Sequence, residues 1–69
     1  PVTDLVRLAD LGIREVRIEH EPPLVRVTVR ADRLERSASR CPARHDDIPG
    51  LLDAALDAFE RAVWSGEEP

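Results

Sequence analysis

The strongest pattern in the sequence is a run of apolar residues at helical spacing in the last third of the chain. Over residues 47–64, apolar side chains recur every three or four positions, and charged side chains fill much of the space between them. Such spacing predicts one amphipathic helix with a broad apolar stripe. A helix of this kind depends on tertiary packing, so the rest of the chain has to supply an apolar surface. The stripe consists of Ile48, Leu51, Leu52, Ala55, Leu56, Phe59, Ala62 and Val63.

That apolar surface is predicted in residues 13–30, where the period changes to two. Apolar β-branched residues alternate with charged ones on both sides of Pro22 and Pro23, which is typical of an antiparallel hairpin with one buried face. Pairing His20 with Val25 aligns apolar residues with apolar residues and acids with arginines, and agreement of both faces specifies a register. The further predicted pairs are Ile18 with Val27, Val16 with Val29, Glu19 with Arg26, and Glu15 with Arg30.

The remaining segments complete a single α+β domain over residues 1–69. Residues 3–11 have helical spacing and are followed by Gly12, a residue typical of the position just after a helix. Residues 34–40 are predicted to form a weak edge strand or an extended loop, and residues 65–69 a solvated tail. The predicted order is a short N-terminal helix, an antiparallel hairpin or three-stranded meander, and a C-terminal helix packed on the sheet. This helix is expected to cover the inward hairpin face, formed by Val16, Ile18, Val25, Val27 and Val29.

Length and composition favour one small domain with a limited core. The chain has 69 residues, of which 42% are hydrophobic, which is enough to fold and too many for a disordered tail. Cys41 is the only cysteine, so no disulfide can form within the chain, as is typical of intracellular proteins. No apolar run approaches the ~20 residues needed to span a bilayer. We therefore expect a cytoplasmic protein with no membrane partner.

The charges are unevenly distributed along the chain. The net charge is −4, and every basic residue is an arginine. Residues 1–44 contain nine arginines and seven acids, whereas residues 45–69 contain Arg61 and seven acids. Without lysine the chain can form no Schiff base, carry no biotinyl or lipoyl group, and supply no phosphate-loop lysine. No cofactor is predicted.

These features favour a non-enzymatic protein–protein interaction module of the inhibitor or accessory-subunit type. An acidic helix face and an arginine-rich sheet face would give two docking surfaces of opposite charge, which favour steering and specificity. An exposed hairpin edge also makes a homodimer a natural form of such a module. No catalytic residue or metal ligand is predicted. The candidate partner-binding residues are Asp53, Asp57, Glu60, Trp64, Arg17, Arg26 and Arg30.

A nucleic-acid-associated factor is the first alternative. The order of helix, strands and helix resembles the double-stranded-RNA-binding domain in outline. That family uses a lysine-rich motif at the start of its last helix, where this chain has Asp46-Asp47-Ile48-Pro49. The alternative therefore takes two forms: binding through the arginine-rich sheet face, or blocking a nucleic-acid-binding machine with the acidic helix.

A small enzyme or a metal or thiol site is the second alternative. Cys41 and His45 stand at a spacing that can hold one metal ion, with His20 or Asp46 as a third ligand. The neighbouring arginines would favour a reactive thiolate at Cys41. The first residue, Pro1, resembles the N-terminal proline that members of the tautomerase superfamily use as a general base, and the resemblance covers that one residue.

Overall fold

A three-stranded antiparallel sheet and two helices make up the fold in the computed structural model, which describes residues 2–69, with side chains from Leu5 onward. The strands lie in the order β1-β2-β3, so β2 is central. The predicted α+β class, with the C-terminal helix on the sheet, is confirmed. The elements are α1 (Val2–Asp10), β1 (Glu15–Glu21), β2 (Leu24–Arg30), β3 (Glu35–Arg40), a 3-10 turn (His45–Asp47) and α2 (Ile48–Trp64).

The predicted register of the hairpin is confirmed at every pair. His20 lies opposite Val25, and both the apolar pairs and the pairs of glutamate with arginine follow in step. One further pair, Glu21 with Leu24, continues the ladder. The connection between the strands is therefore shorter than expected and consists of Pro22 and Pro23 alone.

Residues 35–40 form a true third strand, the stronger of the two predicted outcomes. This strand pairs antiparallel with β2 along its whole length, with Ala38 opposite Val27. The turn before it is closed by the backbone N–H of Ala31, which donates to the carbonyl oxygen of Leu34 at 2.8 Å. The side chains of Ala31 and Leu34 are both buried. They extend the apolar face of the sheet on the side of β3.

The core lies between α2 and the two strands β2 and β3. On β2, the side chains of Val25, Val27 and Val29 are fully buried. On α2, the largest fully buried side chain is Phe59. Its removal from water stabilises the folded state by about 1.5–3 kcal/mol. The apolar stripe predicted from the sequence is the buried side of α2, where Leu51, Ala55, Leu56, Phe59 and Ala62 are all buried.

Helix α1 is short and is joined to β1 through a glycine turn. Gly12 has a φ of 72°, a left-handed conformation that glycine adopts without steric cost. Leu8, Leu11 and Ile13 pack against the core cluster that contains Val29. Within residues 2–69, neither helix is long and apolar enough to cross a membrane.

Candidate interaction surface

Helix α2 covers two of the three strands and leaves β1 uncovered. Val27 and Val29 on β2 are 0% exposed, whereas their cross-strand partners Ile18 and Val16 on β1 are 52% and 38% exposed. The prediction that α2 covers all five apolar residues of the hairpin is therefore wrong for the two on β1. A helix is about 10 Å wide and neighbouring strands are about 4.8 Å apart, so one helix covers about two strands. Because β3 is a full strand, those two are β2 and β3.

Strand β1 is also an edge of the sheet. Its one neighbour is β2, so half of its backbone donors and acceptors face away from the sheet. Such an edge is a template for another strand, and many proteins protect it with charged side chains, proline, a bulge or a covering helix. The charged residues of β1 alternate with Val16 and Ile18 and therefore lie on the opposite face of the strand. Within β1 there is no proline, and its pairing with β2 runs without a bulge. We call Val16, Ile18 and this free backbone edge the β1 surface.

The carboxylates on the outer side of α2 are bound within the chain by Arg7 of α1. The guanidinium of Arg7 lies 2.7 Å from an oxygen of Asp53, 3.0 Å from one of Asp57 and 2.8 Å from one of Glu60. Its Nε–H also donates to Glu60 at 3.0 Å. These hydrogen bonds raise the pKa of Arg7 above its ordinary value, and the hydrogen bond to Glu60 has the largest effect. The three carboxylates proposed for a partner thus already hold α1 against α2.

Trp64 is the most exposed large apolar side chain of α2. It is 78% exposed at the end of the helix and lies one turn beyond Glu60, on the same side. No other tryptophan occurs in the chain. The side chain therefore contributes little to the core and is available for contact.

The open face of the sheet, which points away from α2, carries mixed charge. The three arginines proposed for partner binding all lie on it, and they share it with four glutamates. Glu15 lies 3.0 Å from Arg17 and 3.6 Å from Arg30, so two of the arginines are engaged in ion pairs. The face lacks the excess of positive charge with which proteins bind a phosphate backbone. Its charged residues are Arg17, Arg26, Arg30, Glu15, Glu19, Glu21 and Glu35.

Two of the residues proposed as metal ligands come together at one end of the sheet. The rings of His20 and His45 lie edge to face, with centroids 5.0 Å apart. Cys41 is exposed. Among the described residues, no group of three or more histidine, cysteine or carboxylate side chains is arranged to hold a metal ion. Pro1 lies outside the described residues.

A shallow cleft opens at the start of α2. Its volume is about 330 Å³, and it is lined by Arg40, Asp46, Asp47, Gly50 and Leu51. Arg40 lies 3.4 Å from Asp47, and the other carboxylate oxygen of Asp47 accepts the backbone N–H of Arg44 at 2.9 Å. The chain's own acids thus occupy a helix start that would otherwise attract an anion.

Comparison of the chain with protein-family models, with curated protein sequences and with solved structures finds no match. Of the surfaces described above, the β1 surface alone combines exposed apolar side chains with an unpaired backbone edge.

Proposed function

We propose that this protein is a non-enzymatic interaction module that binds a protein partner through the β1 surface. The observation that supports the proposal is the difference in burial between the two members of each apolar pair, Ile18 with Val27 and Val16 with Val29. Val27 and Val29 are fully buried, and Ile18 and Val16 beside them are left in contact with water. Exposing Ile18 forfeits about half of the 1.5–3 kcal/mol that its full burial would contribute, and a partner that covered it would recover that free energy.

A protein strand fits this surface best. The backbone edge supplies hydrogen bonds to any extended chain, and the alternating side chains of β1 give specificity, as in other cases of strand addition to a sheet. On the helix side a partner would meet Ile18 and Val16. On the open side it would meet Arg17 and Glu19, whose opposite charges select among partners.

Trp64 is the second proposed contact. Tryptophan is enriched among the residues that contribute most to binding, and this one is exposed on α2. The three acids of α2 are less suited to partner binding, because a partner would have to displace Arg7 from Asp53, Asp57 and Glu60. Their substitution is expected to act on α1 rather than on the partner.

The proposal is tested by capture with a matched pair of variants. Ile18→Thr removes apolar surface from β1 and keeps a residue that favours strands. Val6→Thr makes a similar change on α1, and Val6 is also 52% exposed. The chain and both variants are cross-linked in the cells that express them, and the attached proteins, including further copies of the chain, are identified. We expect an adduct that Ile18→Thr loses and Val6→Thr keeps; an identical set for all three chains would contradict the proposal.

A further inference from the structure

The sequence of β1 is complementary to itself when two copies run antiparallel. Arg17 and Glu19 flank Ile18 at equal distances and lie on the open face of the sheet, while Val16 and Ile18 lie on the helix side. A two-fold axis through Ile18 would therefore place Arg17 of each copy opposite Glu19 of the other. Two favourable pairs of opposite charge would form across the new interface.

The same axis aligns the apolar side chains. Ile18 would meet Ile18 of the second copy on the helix side, and Val16 would meet His20 of the second copy there. Val16 and Ile18 of both copies would thus lie side by side on the helix side, with a histidine opposite each valine. At its ends Glu15 would face Glu21 of the second copy, and Glu15 is already balanced by Arg17 and Arg30 of its own chain.

Neighbouring registers are less favourable. A shift by one residue would place Ile18 on the opposite face from its counterpart, because side chains alternate along a strand. Centring the axis on Arg17 would set two arginines against each other and would set Glu15 against Glu19 twice. Centring it on Val16 keeps a pairing of Glu15 with Arg17 but leaves Glu19 outside the paired stretch, and so pairs fewer residues.

We propose that the partner of β1 is a second copy of this chain, paired antiparallel with Ile18 on the two-fold axis. This inference rests on the proposed function and names its partner. The product is a six-stranded sheet with both α2 helices on one side, and it is an isologous dimer in which both copies use the same surface. Each copy contributes three antiparallel strands to it.

Charge reversal at two positions tests the register directly. Arg17→Glu would set glutamates against glutamates at both pairs, and Glu19→Arg would set arginines against arginines. Each variant alone should dimerise at least about tenfold more weakly than the original chain, because two attractive pairs become repulsive. In a mixture of the two variants every pair again joins a glutamate to an arginine, so the mixture should dimerise.

Sedimentation equilibrium over about a hundredfold range of concentration measures these states. Circular dichroism checks that each variant folds. Because Arg26 lies opposite position 19 within the chain, Glu19→Arg also sets two arginines against each other inside one copy, and Glu19→Gln is a second variant that avoids this repulsion. It should weaken the dimer less than Glu19→Arg does. Recovery of the dimer in the mixture supports the inference.

Three outcomes would overturn the inference. They are a chain that stays monomeric throughout, a mixture that fails to dimerise, and a Glu19→Arg variant that dimerises like the original chain. The capture experiment separates these from failure of the proposed function. If the chain is monomeric but cross-links to another protein in a way that Ile18→Thr abolishes, the interaction module stands and the second copy is rejected. If neither occurs, both proposals are wrong.

Discussion

Ile18 and Val27 lie directly opposite each other on one face of the hairpin, yet one is half exposed and the other is fully buried. The sequence treats the two alike, since each is a β-branched apolar residue at the same phase of the alternation. The difference arises in the tertiary structure, because α2 lies over β2 and β3. That asymmetry separates the part of the apolar face that stabilises the fold from the part that is left for a partner.

Truncating these two residues should lower the free energy of unfolding by very different amounts. Val27→Ala should lower the free energy of unfolding by about 2 kcal/mol or more, because it leaves a cavity in a closed core. Ile18→Ala removes more atoms but should cost under about 1 kcal/mol in dilute solution, where the side chain already contacts water. Urea unfolding at low protein concentration measures both values. Equal losses would contradict the uneven coverage of the sheet.

Replacement of Arg7 should loosen α1 without unfolding the sheet. Its guanidinium contacts three carboxylates at once, a geometry that the single ammonium of lysine cannot reproduce. We expect both Arg7→Lys and Arg7→Ala to lower the local stability of α1 by about 1 kcal/mol, a modest value because Asp53 and Asp57 are largely exposed. Amide hydrogen exchange of residues 5–10 measures the effect.

The matched control for Arg7 is Arg61→Ala. Arg61 is exposed in the last turn of α2, so this change removes the same charge close by and should leave exchange in α1 as it is. Equal loosening by both variants would show that net charge, rather than the contacts of Arg7, holds the helix.

Two glycines should respond to alanine with opposite signs. Gly50 lies in the first turn of α2, and a Cβ there would meet no atom within 4 Å, so Gly50→Ala should stabilise the chain by about 0.5–1 kcal/mol. Space is equally open at Gly12, but its φ of 72° makes Gly12→Ala unfavourable by about 1 kcal/mol. Thermal unfolding of the two variants checks the signs, and stabilisation by Gly12→Ala would contradict the left-handed turn.

Trp64 provides an intrinsic probe of the end of α2. Because its side chain is mostly exposed within the single chain, its fluorescence in dilute solution should resemble that of tryptophan in water and should be quenched readily by iodide. Unfolding should therefore change the emission wavelength little. A blue-shifted, protected emission that moves to the red on unfolding would show that the residue is covered, by the chain itself or by a partner.

The hairpin and α2 could be predicted because several independent constraints agree on each. In the hairpin, apolar pairs such as Val16 with Val29 and charged pairs such as Glu19 with Arg26 require the same register. In α2, the whole stripe has one period and ends near Gly66. Segments of this kind leave little freedom to tertiary context.

The coverage of the sheet could not be predicted because it depends on the weakest segment. Residues 35–40 contain two serines and two arginines, a composition that gives little apolar alternation. Had they formed a loop, the hairpin would have been the whole sheet and one helix could have covered both strands. As a strand, they draw α2 away from Ile18 and create the surface proposed here for binding.

The contacts of Arg7 also could not be predicted from sequence patterns. Asp53, Asp57 and Glu60 form a visible acidic line on α2, but nine arginines precede it in the chain. Nothing in their spacing selects Arg7, because the choice depends on how α1 turns at Gly12. Acids that looked free for a partner are consequently part of the fold.

Hydrogen exchange along β1 as a function of protein concentration tests the pairing of two copies most directly. If two copies pair through this strand, the amides on its free edge should exchange more slowly as concentration rises, and Ile18→Thr should abolish the change. Amides on β3, the other edge of the sheet, serve as the internal reference and should not respond. Exchange in β1 that is the same at every concentration would contradict the pairing of β1 with a second copy.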